Sequence, residues 1–331
     1  MSDPMTEPPR RELPPGRLGR GLMLGIAAAA AIYVGLAAWG DWSKVAARLG
    51  QFRWSMALAG TLLAALNYLL RFLKWDYYLR RLGIDCPRGR SFGIFLSGFS
   101  LTVTPGKVGE VLKSYLLREW QGVAMARTMP VVLAERVSDL VALLALSVLG
   151  IGGIASLQSP RRLLLAGTAL VAALVVAVSW EQLGELLIRT VERLPVVGRL
   201  GPKLREFSRA TRELHRPVPL LVAVGLSVLA WACECLAFQL VLGGFPGAAA
   251  SLQLATFIYA TMTVAGALSF VPGGLGVTEI GMVELLVATA QGVDRQTALA
   301  ATFVTRGCTL WFAVLVGLVA LWRVRPGRSR A

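Results

Sequence analysis

Long apolar runs recur from one end of this chain to the other, and they leave no stretch long enough to build a separate water-soluble core. Six of them, residues 21–39, 55–79, 128–150, 163–180, 218–242 and 297–322, are at or near the roughly 20 residues that a helix needs to cross the hydrocarbon of a bilayer. Charged residues make up only 16% of the 331 positions, against about 25% in an ordinary soluble domain. The mean hydropathy is +0.62. These features predict an all-α polytopic membrane protein. The arginines at 10, 11, 17 and 20, followed by Leu22 to Trp39, have the form of a signal peptide. That run is too long for one and ends at Ala37-Ala38-Trp39-Gly40 without a small-x-small cleavage site, so a retained first span is expected.

Two further apolar stretches are interrupted. Residues 91–118 read as two short arms, Ser91 to Thr104 and Val108 to Leu117, broken at Pro105-Gly106; residues 251–290 have the same form, broken at Pro272-Gly273-Gly274. At about 1.5 Å per residue the arms of the first reach only some 20 Å. Both are expected to be helical hairpins, re-entrant or spanning, and either choice leaves the sidedness of the later segments unchanged.

With the N-terminus in the cytoplasm, the segments on that side hold 22 Lys and Arg residues and the opposite side holds 6. This asymmetry places both termini in the cytoplasm. It also explains the formal charge of +15 as a membrane-topology signal, with no nucleic acid implied. The longest polar segment, 181–217, interleaves Arg and Glu with Leu183, Leu186, Leu187, Val191 and Leu194, the pattern of an amphipathic helix on the anionic inner leaflet.

The chain also matches itself. Thr104-Pro105-Gly106-Lys107-Val108-Gly109-Glu110 has a counterpart in Val271-Pro272-Gly273-Gly274-Leu275-Gly276-Val277-Thr278-Glu279, with Pro-Gly, a glycine four residues after the proline, and a glutamate opening the next helix. Gln121-Gly122-Val123 matches Gln291-Gly292-Val293, and Arg136 matches Arg306 at the same 170-residue offset. The expected organisation is a basic tail (1–20), a first repeat (21–150), a second repeat (151–322) and a basic tail (323–331). Each half crosses the membrane an odd number of times, so the halves should be inverted. Inverted repeats with broken helices are an architecture of secondary transporters.

Charges remain on the spans after the loops are removed: Arg71, Lys74, Lys107, Lys113, Arg136 and Arg306, with Asp76, Glu110, Glu135, Asp139, Glu234, Glu279 and Glu284. Each costs about 2.5–3.5 kcal/mol at the bilayer centre, so they must face one another or a wet cavity. Local spacing offers pairs within one helix, Glu135 and Arg136 with Asp139, and Glu110 with Lys113. Helices opening after Gly109 and Gly276 would aim positive dipole ends into the membrane interior, a setting for an anionic headgroup that Arg136, Arg306 and Lys107 could also contact. Glu110 and Glu279 are either protonatable gates or capping acids. Arg71 and Lys74, beside Trp75 and Tyr77, are either snorkelling cations in an aromatic belt or a docking point for headgroups.

Other chemistries find little support. Cys86, Cys233, Cys235 and Cys308 form no CxxC pair and read as membrane thiols, with no metal site. His215 is the only histidine, which excludes chemistry that needs two. No DxD or ExD occurs, so a metal-dependent, lipid-linked glycosyltransferase is disfavoured; a lipid-modifying enzyme and a non-transporting scaffold stand as the alternatives to a transporter.

The segments Arg71-Phe72-Leu73-Lys74-Trp75, Thr104 to Glu110, Glu135-Arg136-Val137-Ser138-Asp139 and Pro272 to Glu279 resemble the lysylphosphatidylglycerol synthase transmembrane-region family. This is the flippase-like domain that also forms the membrane half of the bacterial multiple peptide resistance factor, and the resemblance runs from about residue 20 to 322. It implies movement of a lipid between leaflets of a bacterial cytoplasmic membrane, without cofactors. The aminoacyl-transferase domain that makes lysyl-lipid is not in this sequence, so synthase activity is not implied. The partners implied are a phospholipid or a polyprenyl-phosphate lipid; further copies of the chain and lipid-synthesis enzymes are protein partners to consider. The candidate site comprises Arg71, Lys74, Lys107, Lys113, Arg136 and Arg306 for the headgroup, Glu110, Glu135, Asp139, Glu234 and Glu279 for gating or coupling, and Pro105, Gly106, Gly109, Pro272, Gly273, Gly274 and Gly276 as the hairpin breaks.

Overall fold

The computed structural model describes residues 41–104, 108–150, 201–269 and 271–324, with residues 31 and 35. The span read at 21–39 apart from residues 31 and 35, the span read at 163–180, the N-terminal tail, residues 325–331 of the C-terminal tail, residues 181–200 of the amphipathic segment and the first break at Pro105, Gly106 and Lys107 lie outside the described residues. Among the described residues the elements are helices, and the one β-bridge joins Ala249 to Gln291.

In chain order the α-helices are α1 (Trp42–Gly50), α2 (Trp54–Arg81), α3 (Arg88–Ser97), α4 (Val108–Gln121), α5 (Met125–Gly150), α6 (Gly201–Leu214), α7 (Pro217–Leu242), α8 (Leu252–Leu268), α9 (Val277–Thr289), α10 (Arg295–Arg306) and α11 (Phe312–Val324). A 3₁₀ turn, Gly98–Leu101, extends α3, and another, Pro272–Gly274, sits between α8 and α9. A π-turn, Gly307–Trp311, joins α10 to α11 into one continuous helix. Arms of the expected kind are therefore present on both sides of each Pro-Gly break, α3 and α4 for the first and α8 and α9 for the second.

The exposed surface shows why the chain needs a membrane. On α2, Leu58, Leu62, Leu66, Leu69 and Leu73 recur every three or four residues and are 43–63% exposed. In water that stripe would be an aggregation site; against lipid tails it is at no disadvantage. The opposite face of α2 buries Ala64, Asn67, Tyr68, Phe72 and Trp75. Val218, Leu221 and Leu229 on α7 and Leu315 and Val319 on α11 present similar outward faces. By length and apolarity, α2, α7 and the continuous helix Arg295–Val324 can each cross a bilayer.

Small residues set the helix crossings, as expected where backbones must approach closely. A Cβ at Gly60 of α2 would meet Ala237 and Val241 of α7 at 3.5–3.7 Å. Gly150 at the end of α5 lies on the backbone of α8 at Phe257, and Gly317 of α11 lies on the backbone at Ser100. The π-turn leaves the Thr309 carbonyl available, and the Tyr68 hydroxyl donates to it at 2.7 Å.

The stretch between the runs read at 21–39 and 55–79 contains α1. Val45 is its one buried residue, and Arg48 ties it to Asp294 at the start of α10 at 2.5 Å. Exposed Trp42 and Trp54 flank it, an arrangement suited to the membrane–water interface.

Candidate functional site

The two interrupted helices meet at one place. A cavity of about 170 Å³ lies between the arms of both hairpins and α2, α5, α7 and the bulged helix. Four cations reach it, Arg71, Lys113, Arg136 and Arg306, together with Glu110 and Glu234. The first turns of α4 (Gly109, Glu110) and of α9 (Thr278) also open onto it, so two helix N-termini border the same space.

The arms meet through residues without bulk. A Cβ on Gly109 of α4 would overlap the carbonyl oxygen of Gly98, and one on Gly266 of α8 would overlap the hydroxyl of Thr278 on α9. Gly109 and Thr278 are both the second residue of their helix. Glu110 and Glu279 are both the third. By helix position Gly109 therefore corresponds to Thr278, two residues beyond the Gly276 that sequence matching selects, because the second break is longer. Gly276 itself has φ +82°, a conformation that L side chains rarely adopt.

Each glutamate at the third helix position bonds the arginine of a following helix. Glu110 accepts from Arg136 Nε at 2.7 Å. Glu279 accepts from Arg306 Nε at 2.6 Å, while its other oxygen accepts the Gly276 N–H at 2.7 Å and Arg306 Nη2 donates to the Gly273 carbonyl at 2.7 Å. Glu279 is thus a capping acid and an ion-pair partner at once.

A second pair of bridges lies on α5. Lys113 Nζ contacts Glu135 at 2.5 Å and sits 4.6 Å from the centroid of the Trp75 ring. Lys74 Nζ contacts Asp139 at 2.5 Å and donates to Ser227 Oγ at 2.7 Å; Ser227 in turn donates to Asp139 at 2.9 Å. These charges therefore pair between helices. Within-helix pairing of Glu110 with Lys113 or of Arg136 with Asp139, suggested by spacing, gives way because hydrocarbon on the outer face forces each charge inward to the nearest opposite charge on a neighbour.

Lys74 is fully buried. Its stem runs into the bundle at Asp139, so the snorkelling alternative does not hold for it. Arg71 also points inward: its guanidinium lies 5.4 Å from the Phe99 ring centroid and 5.6 Å from that of Trp231, with Asp139 Oδ2 3.6 Å away. Its Nε has no hydrogen-bond partner. Glu234 accepts a 2.5 Å hydrogen bond from the Tyr259 hydroxyl.

Of the residues expected at the site, the structure brings Arg71, Lys113, Arg136, Arg306, Glu110 and Glu234 to the cavity wall and holds Lys74, Glu135, Asp139 and Glu279 behind it as partners. Lys107 lies outside the described residues. The aromatic lining (Tyr68, Phe99, Trp231, Tyr259) is not singled out by the sequence. For Tyr68 and Tyr259 the one sequence signal is a hydroxyl-bearing ring in an otherwise apolar run; Phe99 and Trp231 offer none. Among the described residues no group of His, Cys, Asp and Glu is placed to hold a metal ion.

Two UPF0104 membrane proteins of Methanothermobacter thermautotrophicus are similar to this chain. One is 26% identical over 273 residues, covering 75% of this chain and 79% of the relative. The other is 27% identical over 290 residues, covering 80% and 82%. The family model described as the lysylphosphatidylglycerol synthase TM region matches residues 23–317, a range that takes in both hairpins, the ion pairs described above and the cavity. The chain is a membrane protein and belongs to the lysylphosphatidylglycerol synthase transmembrane-region family.

Proposed function

We propose that this protein translocates a lipid with an anionic headgroup between the leaflets of the cytoplasmic membrane, with both termini on the cytoplasmic side and the two hairpins belonging to inverted halves. The observation that carries this reading is the convergence of two Pro-Gly-broken hairpins and four cationic side chains on one cavity. A lipid phosphate is a fitting occupant, since guanidinium groups and helix N-termini both favour it. The matching Glu110–Arg136 and Glu279–Arg306 pairs support the inverted halves, and a family description that names a phosphatidylglycerol lipid supports the headgroup class.

Ion pairs at the wall give the cavity two states without new chemistry. An entering phosphate competes with Glu110 for Arg136, and release of Glu110 from Arg136 loosens α4 from α5. The test is reconstitution in liposomes carrying fluorescent phosphatidylglycerol, with quencher accessibility as the readout. Wild type should equilibrate the label between leaflets, and Arg71→Ala should slow it at least tenfold. A wild-type rate equal to that of empty liposomes for every anionic lipid overturns the reading. A scaffold role instead leaves cellular function intact in the Glu110→Gln/Glu279→Gln variant. For the inverted arrangement, maleimide labelling of Asp85→Cys and Ala249→Cys should occur from opposite sides; labelling from the same side removes it.

A further inference from the structure

Among the described residues, five cations and five acids gather at the cavity and directly behind it. Four pairs are closed at 2.5–2.7 Å: Lys74 with Asp139, Lys113 with Glu135, Arg136 with Glu110 and Arg306 with Glu279. Arg71 and Glu234 remain: the acid nearest Arg71 is Asp139, 3.6 Å away and already held by Lys74 at 2.5 Å, and Glu234 has no ion pair among the described residues. Both line the cavity, yet they make no ion pair with each other: Arg71 is held between two aromatic rings, and Glu234 is held by a tyrosine hydroxyl. With Glu234 ionised this described group is neutral, and by itself it leaves the charge of a singly charged anion uncompensated. With Glu234 protonated the group carries one net positive charge, centred on Arg71.

We propose that Glu234 takes up one proton as a singly charged phosphodiester headgroup enters beside Arg71, and gives it up when the headgroup leaves on the other side, so that lipid and proton move together. This rests on the translocation reading above. The O–H bond forms with a proton from water on the side of entry and breaks to water on the side of exit, so no other reactant is needed. Glu234 suits the task better than the other acids, because protonating any of them would abandon a closed ion pair. Protonating Glu234 asks only that the Tyr259 hydroxyl turn from donor to acceptor. The titratable and charged groups that surround it are Tyr259 from α8, Arg71 and Tyr68 from α2, Asp139 from α5, Arg306 from α10, and Cys233 and Cys235 on its own helix.

The experiment uses the full chain in detergent and in liposomes. In lightly buffered detergent solution, binding of dioctanoyl-phosphatidylglycerol to wild type should take up about one proton per lipid, and affinity should fall about tenfold per pH unit above the titration of Glu234. Glu234→Gln should bind without proton uptake and with affinity independent of pH. Tyr259→Phe should keep the stoichiometry and move the midpoint, and it serves as the second variant should Glu234→Gln fail to fold. Glycerophosphoglycerol, the same phosphodiester without chains, should bind more than tenfold more weakly; equal affinity would assign the site to a soluble ligand and overturn the lipid. Binding by wild type without proton uptake, or an unchanged pH slope in Glu234→Gln, overturns the proposal. In liposomes, an imposed pH gradient should bias the leaflet distribution for wild type and leave Glu234→Gln unbiased. Linked uptake in detergent with no lipid movement in liposomes would overturn translocation alone; lipid movement indifferent to the gradient would overturn the coupling alone.

Discussion

The two acid–arginine units at the cavity are built from the same parts and sealed to different degrees. In the second, Glu279 is wholly buried, Arg306 is 9% exposed, and both are bonded to the backbone of their own hairpin at Gly276 and Gly273. In the first, Glu110 and Arg136 retain 16% and 35% exposure. One unit fastens its hairpin shut, and the other leaves its charges within reach of whatever enters. If the halves exchange roles during transport, this structure is one end state, with the second hairpin locked and the first receptive.

The contrast can be broken most severely at the sealed unit. Arg306→Ala leaves Glu279 as a buried charge without its arginine, and should cost about 3–5 kcal/mol in reversible unfolding from mixed micelles. Gly109→Ala comes next, because the added methyl meets the Gly98 carbonyl, which cannot move aside; about 1–3 kcal/mol is expected. Gly266→Ala should cost less, since the atom it overlaps is a Thr278 hydroxyl while the Gly274 backbone stands at 3.2 Å, and Gly266→Ala/Thr278→Ala should recover part of the loss. Arg136→Ala, at the more exposed pair, should change stability by about 1 kcal/mol or less while abolishing translocation. That split between stability and transport is what separates the two units.

The last effect, on stability alone with translocation kept, lies outside the membrane. Asp294 caps α10 by accepting from the Thr297 N–H at 2.8 Å, so Asp294→Ala should cost about 1 kcal/mol. Burial pushes the Asp294 carboxyl up, but its bonds to Thr297 and Arg48 outweigh that and hold it below the usual range. The folded value being lower than the unfolded one, this stabilisation is complete above about pH 4 and is lost as pH falls through the lowered value. Unfolding midpoints of wild type and Asp294→Ala should therefore converge in acid.

The long helices were legible because hydrocarbon imposes a simple rule on composition and length. The runs read at 55–79, 128–150 and 218–242 appear as Trp54–Arg81, Met125–Gly150 and Pro217–Leu242, and the run at 297–322 lies within Arg295–Val324. Most of the charged residues that turn inward were legible for the same reason, but Glu284, 49% exposed and paired with Arg295, and Asp76, paired with exposed Arg80, stay at the surface. The partners of the inward ones were not legible, since spacing along one helix says nothing about which neighbour faces it; Lys113 finds Glu135 and Lys74 finds Asp139 only through packing. The π-turn had no periodic signature, and α1 was too short to show one. Arg71 and Glu234 were named among the charges, but the absence of an ion pair between them is a fact of geometry alone.

Helix α5 has a consequence for how the protein is made. At 26 residues it is long enough to span, yet it falls outside the set of helices apolar enough to do so unaided, because Glu135, Arg136 and Asp139 lie along it. Alone in the bilayer, such a helix would face a cost of several kcal/mol. The ion-pair partners of those three residues, Lys113, Glu110 and Lys74, all precede it in the chain. The counter-charges of α5 are therefore synthesised before it, so the order in which this group can assemble is written into the order of the sequence.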